Sequence, residues 1–274
     1  MHLASELGIP SSSLDRAWVK QAVVPFSRKR TGVFFLNCDS AFVVDGTGNR
    51  FMNEKHHYQE RAMGMLNDLE KHRLVFFIFD QRSKEEYAGP ISGLGGPIPQ
   101  KELEGDCLIS GRDEAELTAN IRKKLRNMKE TFSLNGNFEA ELKRTLTRFN
   151  RDARAGKDSL FGRGDTASDC AWHLVGRAED NKFPNKTMYP LVPMYHCLIL
   201  GISVLDTKGG PRIDSKARVL DRDGRPVPGL YGAGNCVRSS SNKSYWSAGC
   251  TISHAMTFGF VAGRECVSAR MAKM

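Results

Sequence analysis

The sequence predicts a mixed fold of the α+β/α/β class. Three observations predict it. Runs rich in Val, Phe and Ile, at residues 31–44, 74–79 and 194–205, alternate with segments of helical period. Asp-Gly and Gly-Asn pairs separate short strand-like stretches, as hairpin turns do. Near the end, a small-residue turn leads from a strand into an apolar helix. The 274 residues, 40% hydrophobic and 26% charged, suffice for one large domain or two modest ones.

The elements follow in order. Residues 14–22 read as a short helix behind Ser12 and Ser13, followed by a basic loop to residue 30. Residues 31–44 read as strand, and Asp45-Gly46-Thr47-Gly48-Asn49 as a hairpin turn, because these pairs tolerate positive φ. Phe51 and Met52 resume the strand. Residues 54–69 carry a helical pattern, 74–79 form a second strand and 82–87 a short helix. The Gly- and Pro-rich residues 91–99 form a loop. They lack the strand–turn–helix setting of a phosphate cradle. Residues 113–125 form a helix with Ser110 or Asp113 available as cap. Residues 137–152 form another, with Leu142, Leu146 and Phe149 on one core-facing stripe. Residues 161–165 turn. After Pro184 the texture changes, and a module boundary is expected near residues 185–193. A long apolar run at 194–205 precedes a turn at 207–210. Short strands at 212–214 and 217–220 adjoin a hairpin at 221–224. A strand at 228–234 runs into a turn, and residues 251–271 form the terminal helix.

Composition narrows the function classes. No apolar run approaches the roughly 20 residues that span a bilayer. The N-terminus has no basic region followed by an apolar stretch, so a cytoplasmic protein is expected. Seven cysteines, odd in number, widely spaced and without a C-x-x-C pair, support neither a disulfide framework nor a zinc site. The net charge of +9 raises the question of a polyanion partner. The densest basic run, residues 122–129, alternates with apolar residues at helical spacing and reads as a solvated helix face. No nucleic-acid binding is expected. A phosphate-bearing cofactor would also profit from a basic surround.

The most informative segment is Gly229-Leu230-Tyr231-Gly232-Ala233-Gly234-Asn235, followed by Ser244-Tyr245-Trp246-Ser247-Ala248-Gly249-Cys250-Thr251-Ile252. A strand end, a small-residue turn and a second Gly turn open an apolar helix. Bare backbone beside a helix N-terminus suits a flat, electron-rich ligand, because free N–H groups and the positive helix end face its anionic edge.

Three further stretches complete the pattern. They are Val43-Val44-Asp45-Gly46-Thr47-Gly48-Asn49-Arg50-Phe51-Met52-Asn53-Glu54, Thr207-Lys208-Gly209-Gly210, and Asp223-Gly224-Arg225-Pro226-Val227-Pro228 running into Gly229. Together with the terminal segment they resemble the flavoproteins related to fumarate reductase and succinate dehydrogenase. Tyr245-x-x-x-Gly249, Thr251-Ile252 and Ala255-Met256-Thr257-Phe258-Gly259 are similar to the 3-ketosteroid dehydrogenases within that superfamily. The resemblance covers residues 31–274. It implies a capping (substrate) domain at residues 37–190 and an incomplete Rossmann-like FAD-binding domain, made of residues 1–36 and 191–274. The G-x-G-x-x-G turn that grips the FAD pyrophosphate in such proteins has no match here. The resemblance thus implies a C-terminal portion: either a fragment of a longer chain, or one chain of a split enzyme whose partner is a separate N-terminal FAD-binding half.

It also implies roles. Tyr245 and Gly249 match positions that polarise a substrate carbonyl, through a phenol O–H and a backbone N–H. Tyr58 matches a catalytic tyrosine, the base. Gly234 and Asn235 match cofactor-binding positions, Asn235 at the ribityl chain of FAD, and Gly249, Cys250, Thr251 and Ile252 the helix start facing the flavin ring. An ordinary tyrosine titrates near 10, so a base at Tyr58 needs surroundings that stabilise tyrosinate. The dicarboxylate-reducing branch expects an Arg in the Tyr245 region, and none is present. Arg238, His196 and His254 remain as residues that could meet a carboxylate. The expected activity is dehydrogenation of a carbon–carbon bond beside a ketone, with an apolar, steroid-like substrate. The alternatives are a non-catalytic domain binding a partner or hydrophobic small molecule, and a fumarate reductase-like dicarboxylate enzyme.

Overall fold

Leu74 to Asp80 is buried at every position, so both faces of this strand must be covered. In the computed structural model it lies inside a sheet with layers on either side. The structure describes residues 2–24, 32–33, 36, 38–88, 107–128, 131–173, 181–242, 244–246 and 249–271. The strands are β1 (Ser11–Ser12), β2 (Ala17–Val24), β3 (Gly32–Val33), β4 (Ala41–Val44), β5 (Leu74–Asp80), β6 (Ile109–Gly111), β7 (Tyr195–Thr207), β8 (Gly210–Pro211), β9 (Arg218–Leu220) and β10 (Pro226–Tyr231). The helices are α1 (His2–Glu6), α2 (Tyr58–Leu66), α3 (Leu69–His72), α4 (Gln81–Ala88), α5 (Glu114–Asn127), α6 (Phe138–Ala155), α7 (Ala167–His173) and α8 (Cys250–Met271). The chain divides into two units, residues 20–203 and residues 1–19 with 204–274. The expected loop at residues 91–99 lies outside the described residues, as does much of the expected strand at 31–40.

In the first unit the sheet runs β3-β2-β7-β5-β4, with β6 also paired to β7. The β5 pairings are antiparallel: Phe76 faces Ile199, Phe77 faces Leu198, and Ile78 faces Phe42. Period two then sorts the side chains. Phe42, Val44, Phe76, Ile78, Cys197 and Ile199 face a core closed by Leu117 and Ile121 of α5 and Leu142, Leu146 and Phe149 of α6. Val43, Val75, Phe77, Phe79, Leu198 and Leu200 face a second core with Leu36, Met52 and Met65.

Several expectations need correction. Residues 17–24 form strand β2, not a helix: Trp18, Val19, Val23 and Val24 are buried, and the segment joins the sheet beside β7. Phe51 and Met52 do not resume a strand; pairing ends at the single bridge of Arg50 with Val44. The Glu54 carboxylate turns back to accept from the Val43 N–H, 3.1 Å away, which bends the chain out of the ladder. The helix expected from residue 54 therefore starts only at Tyr58. Residues 195–203, expected beyond the module boundary, lie in the sheet of the first unit.

A buried charge network ties this unit together. The Arg50 guanidinium donates to both Glu54 oxygens (3.0 and 2.8 Å) and both Asp158 oxygens (3.0 and 2.9 Å). Arg163, fully buried, donates to Glu54 Oε2 at 3.2 Å and to the carbonyls of Ala41 (2.6 Å), Cys38 (3.1 Å) and Thr187. Burial alone would raise the Glu54 pKa, but Arg50 and Arg163 overcome it and hold the carboxyl below its ordinary value. Asp158 is held low in the same way, burial being outweighed by Arg50.

The second unit has a much smaller core. Ala4, Ile9 and Val219 form its buried cluster, with Ile213, Val227 and Leu230 packed partly against it. β1 pairs with β8, and β9 with β10. Helix α8 leaves Ile252, Met256, Phe260, Val267 and Met271 exposed, at spacings of four, four, seven and four, which makes one apolar stripe. Among the described residues no helix is long and apolar enough to cross a membrane, and no group of three His, Cys, Asp or Glu is placed to hold a metal ion.

Removing one partner of the network strands a buried charge. Arg163→Met is expected to cost about 3–5 kcal/mol, read as a lower midpoint in urea unfolding. Because Glu54 and Asp158 are depressed in the folded state, their stabilisation is complete above the unfolded carboxylate range near 4. It is lost as pH falls through their folded values, so the gap between wild type and Arg163→Met should shrink on acidification.

Candidate functional site

The turn after β10 and the turn before β8 come together through missing side chains. A Cβ on Gly210 would lie 2.4 Å from the Cys236 carbonyl oxygen, so only glycine lets these backbones meet. This contact seats the 207–210 turn beside Gly234 and Asn235. Gly234 is buried. The Asn235 amide donates to Asp206 Oδ2 at 2.6 Å, which fixes its orientation. Asp206, one residue before Thr207, carries no sequence signal of its own, and sequence reasoning missed it.

Helix α8 supplies the next piece. The Ser253 N–H donates to the Gly249 carbonyl at 2.9 Å, closing the first helical turn. The N–H groups of Cys250, Thr251 and Ile252 lie in the first turn of this helix, where backbone donors point out of the helix end. Gly249 has φ +85°, and no atom lies within 4 Å of where its Cβ would be. Among the described residues, chain neighbours aside, the space over Gly249 is open. Cys250 is buried, Thr251 half-buried and Ile252 exposed. Backbone donors at a positive helix end, reached over a bare glycine, fit the electron-rich edge of a flat ring.

Tyr245 stands in the same unit. Its ring packs edge-on to Trp18, with centroids 5.6 Å apart. The Lys208 ammonium sits 3.8 Å from the centre of the Trp18 ring and donates to the Ser244 carbonyl at 2.9 Å. Lys208 is buried, and burial draws its pKa below the ordinary lysine value. Neither Trp18 nor Lys208 was singled out by the sequence: Trp18 lay in a segment read as helix, and Lys208 is the unspecified position of the Thr-x-Gly-Gly turn.

Tyr58 belongs to the other unit, where it opens α2 directly after His57. The structure thus gathers Gly234, Asn235, Tyr245, Gly249, Cys250, Thr251 and Ile252 in the second unit and sets Tyr58 in the first. Burial lowers the His57 pKa. Arg61, on the next turn, donates to the Glu54 and His56 carbonyls.

The residues considered for carboxylates separate. His196 is held between Ser110 Oγ (2.8 Å) and Gln81 Oε1 (3.1 Å), and burial, with Lys84, pulls its pKa down to about 4. It is a neutral structural residue of the first unit. Arg238 and His254 instead line one cleft of about 390 Å³ with Arg212, Ser239, Ser240 and Phe258. Asp214, also in the cleft, is paired with Arg218 at 2.6 Å.

The profile of the FAD binding domain family matches residues 13–252. The chain is 33% identical to 4-oxocyclohexanecarboxylate 2-dehydrogenase of Sinomonas cyclohexanicum over 82% of its length and 36% of that protein. It is 30% identical to 3-oxosteroid 1-dehydrogenase of Mycobacterium tuberculosis over 94% of its length and 44% of that protein. Among solved structures, 3-ketosteroid Δ1-dehydrogenase of Sterolibacterium denitrificans, crystallised with 1,4-androstadiene-3,17-dione, superposes with a TM-score of 0.78 at 28% identity, covering 98% of this chain and 46% of the other. The chain thus spans less than half the length of these relatives.

Gly249→Val places a β-branched residue at a left-handed position. The expected cost is about 1–3 kcal/mol, concentrated at the start of α8. Hydrogen exchange should accelerate at residues 250–253 and stay unchanged in β5.

Proposed function

The chain belongs to the FAD binding domain family, and we propose that it forms the capping domain and the C-terminal part of the FAD domain of a dehydrogenase. The proposed reaction removes hydrogen from a carbon–carbon bond beside a ketone, with an apolar, steroid-like substrate. The observation that supports this reading is the glycine-opened helix start at Gly249, which lies in the same unit as Tyr245 and four residues after it in sequence.

The chemistry asks for donors where an enolate-like oxygen gains charge. The Tyr245 phenol and the Gly249 N–H are neutral donors suited to that oxygen. Tyr58 is the candidate base that takes the acidic C–H proton. FAD, when bound, accepts the adjacent hydride. Gly234 and Asn235 would hold its ribityl chain, and the N–H groups of Cys250, Thr251 and Ile252 would face the ring. The open approach over Gly249 fits such a group.

The remainder of the FAD domain is supplied, in this reading, by polypeptide equivalent to the other half of the relatives' length. Two features support it. The second unit buries only a small core, and the α8 stripe from Ile252 to Met271 stands in water. A second reading concerns the substrate. The cleft with Arg212, Arg238 and His254 favours a ring ketone that also carries a carboxylate.

Co-production with an N-terminal half taken from a relative should give a yellow complex absorbing near roughly 370 and 450 nm. A colourless complex, with no reduction of an electron acceptor by any ketosteroid or oxocyclohexanecarboxylate, would leave the non-catalytic domain as the better reading. In the active complex, Tyr245→Phe should lower kcat by about 100- to 1,000-fold with a smaller change in KM. Arg238→Gln should impair turnover of the carboxylate substrate and spare the steroid, if the cleft holds that carboxylate.

A further inference from the structure

We propose that Lys208 is a positioning residue for Tyr245: its buried ammonium fixes both the peptide that precedes this tyrosine and the ring against which it packs. The functional part of this role rests on the dehydrogenase reading given above; the structural part does not.

A lysine that is 1% exposed needs compensation for its lost hydration. Among its contacts, two supply it at the ammonium. Its ammonium donates to the Ser244 carbonyl at 2.9 Å, and it lies 3.8 Å from the centre of the Trp18 ring. A desolvated cation over an indole face is a favourable arrangement. Tyr245 follows Ser244 directly and meets Trp18 edge-on at 5.6 Å. One charge therefore holds the tyrosine from its backbone and from its ring.

The main chain of Lys208 extends the same tie. Its N–H donates to the Arg16 carbonyl at 3.1 Å, and its carbonyl accepts from the Ser239 N–H at 2.9 Å. The Ser239–Ser244 stretch folds on itself through Asn242 N–H to Ser239 (3.2 Å) and Ser244 N–H to Ser241 (2.9 Å). Three segments distant in sequence thus converge on one residue: the strand start at Arg16–Trp18, the 207–210 turn and the loop carrying Tyr245. A donor aimed at a developing oxyanion acts only when its direction is fixed in advance, and this is what the two-point hold supplies.

The test uses the chain labelled with 3-fluorotyrosine and read by fluorine NMR, which needs neither flavin nor substrate. The protein has six tyrosines, and Tyr245→Phe identifies the relevant resonance. Lys208→Met should move that resonance toward the position of a free tyrosine and leave the other five in place. Lys208→Arg should keep it near the wild-type position. An unmoved Tyr245 resonance in a folded Lys208→Met protein overturns the proposal. Should Lys208→Met fail to fold, nitrogen-15 lysine labelling of the wild type decides. One ammonium resonance, lost in Lys208→Arg, should exchange slowly and show a ring-current shift. Its absence overturns the proposal equally. In the flavin-loaded complex, Lys208→Met should lower kcat about 10- to 100-fold with partial recovery by Lys208→Arg. Unchanged turnover there refutes the functional role and leaves the dehydrogenase reading standing.

Discussion

Two arginines and two carboxylates, buried together, decide how the larger unit is built. Charges of this kind are costly to take from water without partners, so Arg50, Glu54, Asp158 and Arg163 must stay paired wherever the surrounding layers close over them. They come from the hairpin after β4 and from the segment after α6, more than a hundred residues apart. Arg163 also binds the carbonyls of Cys38 and Ala41, which flank the start of β4. The sheet, the helical layer and the chain returning toward β7 are thereby locked to one geometry. Glu54, at the centre, is also what bends the chain out of its hairpin and sets where α2, and hence Tyr58, begins.

Legibility in the sequence followed the kind of force at work. Strand β5 was readable because a run buried on both faces has no polar positions to confuse the reading. Helices α5 and α6 were readable from their stripes, and α5 from its Asp113 cap, whose carboxylate accepts from Glu116. The β2 segment was misread because Leu14, Trp18 and Val19 mimic helical spacing; only its place beside β7, a pairing nearly two hundred residues away, settles the matter. Propensity yields to tertiary contact in such cases.

Around the candidate site the turns were legible in the sequence, while the polar side chains that orient its residues were not. Glycines such as Gly210 and Gly249 announce where chains approach or where φ turns positive. Asp206 and Lys208 announce nothing, because an acidic residue and a lysine near a turn read as ordinary surface. Their partners, Asn235, Ser244 and Trp18, become neighbours only through the fold. Polar residues that orient others are the part of a site that pattern reading reaches last.

The apolar stripe along α8 has a consequence for the life of the protein. Ile252, Met256, Phe260, Val267 and Met271 present to water an apolar face of the kind that domains usually bury. A copy whose stripe stays bare is drawn toward self-association, chaperones and proteases. If the proposed N-terminal half covers the helix, supply of this chain cannot outrun supply of that half.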